Sequence, residues 1–482
     1  MIAPGWHKRD FVSPGICHNG GLQGDTRMGA ASDATRFYSQ IKTIPFFGRA
    51  GSAMPEEAVL DARMQAGALL LPQAYQAAYV APVRAGTPRL LALARQQRIH
   101  MSSVEIVTGG IYQHAEDWPN GPALRRFVAV TSNLYRSFLD AARRAAVGMP
   151  SLGEVLPPLA AFTSDGSAGP TTLAVDLTRA FMDAQVGVVA LPATMADHPI
   201  LWMTLVHETG GHDVTHADTG LLPELTARLP AVLAPFRGET GLSDAELAAL
   251  WGHWMDEASA DIFALLNAGP AFAENLAVML AAMGGGAAPA LRMVSAPGGD
   301  SLLDPHPTDI LRLHLLIGGL AALDGFAGQA AATLRLRELA DSFGTGSTIA
   351  LRGNLPAGPQ STLPLSVTAK REGLTRCAEA VGRAIAETPL TALGGKPIRR
   401  IETWDDADQR AVDAIRNALA ARRPIAGLGD DAQLLAAATG AVMDGGTYDT
   451  ATASLAAGLD DSFRTDPIWR LPEPDRMYLR YR

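Results

Sequence analysis

The residues most suited to chemistry lie at 207–212, which read HETGGH. In the common pattern H-E-x-x-H, two histidines four positions apart on a helix bind zinc, and the glutamate acts as general base. Here the histidines are five positions apart. On a regular helix that is about 140° of rotation, too far for both to bind one ion. The match is therefore accidental unless the helix is locally distorted.

A helical bulge would restore the geometry. A single π-turn absorbs one extra residue and brings positions i and i+5 onto one face, and such bulges occur frequently at functional sites. The pair Gly210-Gly211 lies inside the motif. Glycine tolerates distorted backbone and weakens a regular helix, so this pair favours a bulge.

A zinc centre also needs a third protein ligand, and the segment WMDEASADIFALL at 254–266 offers two carboxylates. Glu257 and Asp261 are four positions apart on a predicted helix and share a face. Glu257 is the predicted ligand. Asp261 would accept a hydrogen bond from the non-ligating nitrogen of a ligand histidine and fix its tautomer. The alternative interpretation is an exposed acidic helix edge.

The order H-E-x-x-x-H, then E-x-x-x-D on the next long helix, resembles the gluzincin metallopeptidases. The six-residue motif is similar to that of dipeptidyl peptidase III and its relatives. The resemblance covers about 55 of the 482 residues. It implies the following roles: zinc ligands His207, His212 and Glu257, general base Glu208, and Asp261 as partner of a ligand histidine.

A further segment, DPHPTDILRLHLL at 304–316, contains His306-Pro307 followed by Arg312. It resembles the His-Pro…Arg segment of some membrane-associated gluzincins. The resemblance implies that His306 or Arg312 lies near the substrate, where a donor stabilises a tetrahedral oxyanion. The alternative is a proline-containing helix start with Arg312 in a salt bridge.

Other residues compete for the metal. His216 forms a regular i, i+4 pair with the last histidine of the motif, and Asp218 lies two positions further on. Metzincin-like enzymes place a third ligand at the position of Asp218, but the glycine they require is missing. His253 shares a helical face with Glu257. Either His216 or Asp218 is thus an alternative third ligand, and His216 and His253 otherwise support the ligands or lie at a polar surface.

Composition narrows the class of protein. A net charge of −9 provides no basic excess for nucleic acid. Cys17 and Cys377 lie too far apart in the sequence for a disulfide framework or a cysteine-rich metal site. The first residues lack the apolar core of a secretory signal, and the apolar stretches are interrupted by glycines and charged residues. These features predict a cytoplasmic protein without a membrane span.

Hydrophobic periodicity predicts an α+β, mostly α-helical fold. Residues 100–112 and 186–193 are predicted strands, 123–147 a helix, and a helix after Asp197-His198-Pro199 carries the motif. Four regions are predicted: an N-terminal mixed α/β region (1–170), a zincin-like catalytic domain (171–343), a linker (344–364) and a helical C-terminal domain (365–482).

These observations predict a zinc-dependent hydrolase of peptides, in which Glu208 activates the zinc-bound water. Three alternatives stay open. The substrate is a non-peptide amide of small-molecule metabolism, the metal is non-haem iron bound by two histidines and a carboxylate, or the chain is a binding protein with a degenerate metal site. The oligomeric state is left open.

Overall fold

The computed structural model of the chain describes residues 29–46, 56–152, 155–164, 169–297, 302–358 and 361–469. Helices dominate these ranges and strands are few, which confirms the predicted mostly α-helical α+β class. The α-helices are Ala30–Ile41, Glu57–Ala68, Gln73–Tyr75, Ala81–Arg95, Met101–Tyr112, Gly121–Leu139, Ala141–Ala146, Val175–Met182, Thr204–His207, Val214–Ala217, Leu221–Leu233, Asp244–His253, Met255–Met283, Asp309–Leu320, Gln329–Phe343, Arg371–Glu387, Asp406–Ala420, Asp431–Met443 and Tyr448–Thr465.

A small mixed sheet precedes the motif. Its strands are β1 (Leu159–Thr163), β2 (Thr171–Leu173) and β3 (Val188–Pro192), in the order β1-β3-β2. β1 is parallel to β3, and β2 is antiparallel to it at the edge. Both β1 and β3 are buried along their whole length, as their apolar and β-branched residues predict. The chain leaves β3 and enters the motif segment.

A second sheet corrects the predicted linker. It consists of β4 (Val294–Ser295), β5 (Thr348–Gly358) and β6 (Ser361–Lys370), and β5 and β6 form an antiparallel hairpin. Residues 344–364, predicted as a linker, therefore contain all of β5 and the start of β6. Ile349, Leu351 and Leu355 face the core and are fully buried. Glycine and proline suggested an unstructured segment, but the period-2 apolar pattern determined the structure.

Residues 100–112 were predicted to be a strand and are instead the helix Met101–Tyr112. The backbone N–H of Ser102 donates to the His100 side chain at the helix start. Val104, Val107 and Ile111 are buried, at the i, i+3, i+7 spacing of a helical face. Their β-branched side chains suggested a strand, but burial of that face outweighs the small helix penalty of such residues.

The longest helix, Met255–Met283, is called here the core helix. It is kinked at Gly269, where φ is 62° and Pro270 follows. By length and composition it could cross a membrane, yet 83% of its most apolar window is buried in the protein. A helix that is mostly buried in the core of a protein can have the same length and composition.

Candidate metal centre

The motif segment, residues 199–217, changes its helical type three times. It runs as a 3₁₀-helix over Pro199–Met203, an α-helix over Thr204–His207, a π-helix over Glu208–Asp213 and an α-helix over Val214–Ala217. The bulge predicted from the spacing of the two histidines is therefore confirmed. It spans the extra residue of the motif and brings both imidazoles to one face.

Close packing explains the second glycine. A Cβ atom on Gly211 would lie 2.5 Å from Cα of Ala260 in the core helix, nearer than any real contact. At Gly210 the nearest neighbour is the Nδ2 atom of the Asn267 side chain, at 3.3 Å. Gly211 thus lets the π-helix pack directly on the helix that carries Glu257, the predicted third ligand.

Three side chains converge on one point. Nε2 of His207 lies 3.2 Å from Nε2 of His212. The two carboxylate oxygens of Glu257 lie 3.3 Å from the first nitrogen and 3.5 Å from the second. Ligand atoms held tetrahedrally by zinc, at about 2.0–2.1 Å each, are about 3.3 Å apart. These three side chains could hold a metal ion and have the spacing of three zinc ligands.

Carboxylates orient both imidazoles. Nδ1 of His207 lies 2.9 Å from Oδ1 of Asp261, and Nδ1 of His212 lies 3.0 Å from Oδ1 of Asp256. Each Nδ1–H donates to its carboxylate, so each Nε2 lone pair is directed at the shared point. This carboxylate–histidine arrangement is typical of zinc sites. Asp261 makes the contact with His207 that the implied partner role requires, and Asp256 makes the same contact with His212.

Arg312 holds Asp261 in place. Its Nε and Nη2 atoms donate to the two Asp261 oxygens at 2.8 and 2.7 Å, and the guanidinium is almost completely buried. Two of its donating groups are thus occupied by a carboxylate. The salt bridge weighed as the alternative is present and orients Asp261 beside His207, while contact of Arg312 with a substrate stays a prediction.

His216 supports the site from one step further out. Its Nε2 lies 3.2 Å from the second oxygen of Asp256, and its Nδ1 lies 2.9 Å from Asp176. A chain of alternating carboxylates and imidazoles therefore runs from His212 to the half-exposed Asp176. His216 uses both nitrogens in this chain, which favours its supporting role over the alternative of third ligand.

We expect His216 to stabilise the fold below neutral pH. Burial lowers its pKa, but hydrogen bonds to Asp176 and Asp256 outweigh burial and raise the pKa to about 10. A histidine with a raised folded-state pKa stabilises the fold fully below its unfolded value of about 6.5, and the contribution is lost as the pH rises through about 10. Both carboxylates are more than one third exposed, so solvent screens their interaction with His216. We therefore expect His216 to contribute about 2 kcal/mol to the free energy of unfolding.

Urea unfolding with a chelator present measures this effect. His216→Gln should be less stable than the native chain at pH 6, and the difference should shrink by pH 10.5. A pH-independent difference would show that the imidazole's charge does not contribute.

The electrostatics of the cluster favour a cation. Burial lowers the pKa of His207, but Asp261 and Glu257 outweigh burial and raise it. Burial also lowers the pKa of His212, and Asp256 and Glu257 raise it well above its ordinary value. Burial raises the pKa of Glu257, yet His306 and His212 hold it well below its ordinary value. The excess of carboxylates thus attracts positive charge, which protons or a divalent cation can supply.

Glu208, the predicted base, is buried beside the sheet. The hydroxyl of Thr172 on β2 lies 2.8 Å from the Glu208 carboxylate and 2.9 Å from its carbonyl oxygen. Strand β2 therefore fixes the carboxylate of Glu208, the residue that directly follows His207 in the sequence.

Two predicted site residues lie elsewhere. The Nε2 atom of His253 contacts the carbonyl oxygen of Leu303 at 2.9 Å, so it holds the loop that precedes His306 and is not itself part of the cluster. Asp218 pairs with the fully buried Arg144 at 2.8 Å. This pair occupies the carboxylate that was the other alternative for third ligand.

The sequence interpretation missed three supporting acids, Asp176, Asp256 and Asp304. Asp256 directly precedes Glu257, and Asp304 lies two positions before His306. Each contacts an imidazole at 2.9–3.0 Å. Their proximity to candidate ligands was a usable signal for the last two. Asp176 gave none, because it joins the site only through the packing of helix Val175–Met182.

Comparison with known proteins adds no identification. No known protein family, curated protein or solved structure matches this chain. The interpretation of the centre therefore rests on its own geometry.

Proposed function

We propose that the chain is a zinc-dependent hydrolase that cleaves amide bonds, most simply those of peptides. The observation that supports this most is the spacing of 3.2–3.5 Å among the ligand atoms of His207, His212 and Glu257. Both imidazoles are already oriented by carboxylates. Three protein ligands with an open fourth position are typical of catalytic zinc.

The protein's own residues account for the remaining chemistry. Zinc, when bound, lowers the pKa of a water ligand and polarises the substrate carbonyl. Glu208 accepts the proton of the attacking water and delivers it to the leaving amine. Thr172 keeps the Glu208 carboxylate in one orientation. The edge strand, the motif segment and the core helix together support a zincin-like catalytic domain of the gluzincin type as part of this proposal.

A second candidate substrate is a small non-peptide amide. The side chains of the three ligands are only 7%, 13% and 12% exposed. Such limited access favours a compact substrate over a folded protein.

Metal analysis and a peptide digest together test the proposal. Protein purified without chelators should contain about one zinc per chain and cleave a degenerate peptide mixture, as measured by mass spectrometry. Dialysis against 1,10-phenanthroline should remove activity, and added zinc should restore it. Activity that persists without metal, or iron in place of zinc, would contradict the proposal. Cleavage of small acyl amides but not peptides would favour the second candidate.

The third ligand is tested separately. Glu257→Ala should lower zinc affinity at least 100-fold, because it removes one of three ligands. Asp218→Asn should retain zinc, although it weakens the pair with Arg144. Competition with a chromophoric chelator measures both affinities, and circular dichroism verifies folding. Zinc loss in Asp218→Asn with zinc retained in Glu257→Ala would reverse the assignment.

A further inference from the structure

The third ligand has a partner of its own, as each imidazole has. Nε2 of His306 lies 3.1 Å from Oε1 of Glu257. Nδ1 of the same ring lies 2.9 Å from Oδ1 of Asp304. A ring between two carboxylates donates from both nitrogens. His306 therefore links Glu257 to Asp304 as Asp261 links His207 to Arg312.

Charged groups fix the His306 ring. The backbone N–H of His306 donates to the same Asp304 oxygen at 3.1 Å. Arg292 pairs with the other Asp304 oxygen, with both oxygens of Asp309, and with the carbonyl oxygen of Pro307. Rotation of the ring would leave buried charges unpaired, so the ring holds one orientation.

Backbone contacts hold the loop itself. The indole Nε1 of Trp254 donates to the carbonyl oxygen of Asp304 at 3.0 Å. His253 contacts the carbonyl of Leu303, and the N–H of Leu303 donates to Asn354 in β5. The hairpin and the two residues just before the core helix thus hold the loop that presents His306.

We propose that His306, held by Asp304 and Arg292, is a positioning residue that fixes the metal ligand Glu257. The inference rests on the proposed zinc centre. A carboxylate held in place before the ion arrives loses less conformational freedom on binding. The cluster whose ligand atoms all lie within 4.8 Å of one another contains His207, His212 and Glu257 but does not include His306. His306 therefore contacts the Glu257 carboxylate from outside this cluster.

Two variants at position 306 test the role, with zinc alone as probe. His306→Gln retains an N–H donor of similar reach, whereas His306→Leu retains bulk without a donor. The Gln variant should bind zinc within about 3-fold of the native chain, and the Leu variant should lose 10–100-fold. The visible spectrum of the cobalt-substituted Leu variant should also change, because Glu257 loses its fixed orientation.

The matched control is His314→Leu. His314 is equally buried and contacts a carboxylate at 2.8 Å, but that carboxylate is Glu379, outside the centre. This variant should keep native zinc affinity and cobalt spectrum. Native affinity in His306→Leu would overturn the inference. Equal losses in both His306 variants would also overturn it. They would indicate that the His306 imidazole itself binds zinc, because Gln cannot replace an imidazole ligand. Failure of the proposed function gives a different result. Either the native chain lacks hydrolysis while the zinc affinities of all variants remain measurable, or the native chain and all variants alike bind no zinc.

Discussion

Glu208→Gln is expected to lower amide hydrolysis by about 10³-fold or more while zinc remains bound. The amide is nearly isosteric with the carboxylate and still accepts the hydrogen bond of Thr172, which lies 2.8 Å from the Glu208 carboxylate. What it lacks is a basic oxygen for the proton of the attacking water. The loss should therefore appear in kcat, with little change in KM.

Steady-state kinetics on a cleaved peptide and a zinc assay on the same sample check this expectation. Glu387→Gln is a suitable control, because Glu387 pairs with Arg383 on the surface. A Glu208→Gln variant with native kcat would refute the assigned base. A variant that loses both zinc and activity would show that Glu208 acts on the metal centre itself.

The convergence of His207, His212 and Glu257 could be predicted from local sequence because each part has a spacing rule. The five-residue interval between His207 and His212 required a bulge, and the π-helix over Glu208–Asp213 supplies it. The interval between Glu257 and Asp261 placed both on one helical face, and Asp261 contacts His207. Such predictions depend only on helical periodicity.

The supporting residues could not be predicted, because tertiary packing brings them together. Asp176 reaches His216 across 40 positions of sequence. Arg312 reaches Asp261 from a separate helix. The β5–β6 hairpin was similarly obscured, because its glycines and prolines are typical of linkers. Spacing within one element predicts which side chains can converge, whereas contacts between elements determine which groups hold them.

Gly211→Ala is expected to destabilise the fold by about 3 kcal/mol and to weaken zinc binding at least 10-fold. The added methyl would lie 2.5 Å from Cα and 2.9 Å from the carbonyl oxygen of Ala260. Backbone atoms cannot rotate away, so the motif segment must move off the core helix. That movement separates His212 on the bulge from Glu257 on the core helix.

Gly210→Ala is the matched comparison, because it lies one position earlier in the same π-helix. Its methyl would meet only the flexible Asn267 side chain, at 3.3 Å. Alanine also favours helix over glycine, so stability should change by less than about 1 kcal/mol. Urea unfolding and zinc competition on both variants separate the two causes of a glycine pair. Equal effects would mean that the distorted backbone needs both glycines. A large effect at Gly211 alone means that the close packing of the motif segment on the core helix determines the position of the predicted ligands. The bulge is then a consequence of this packing.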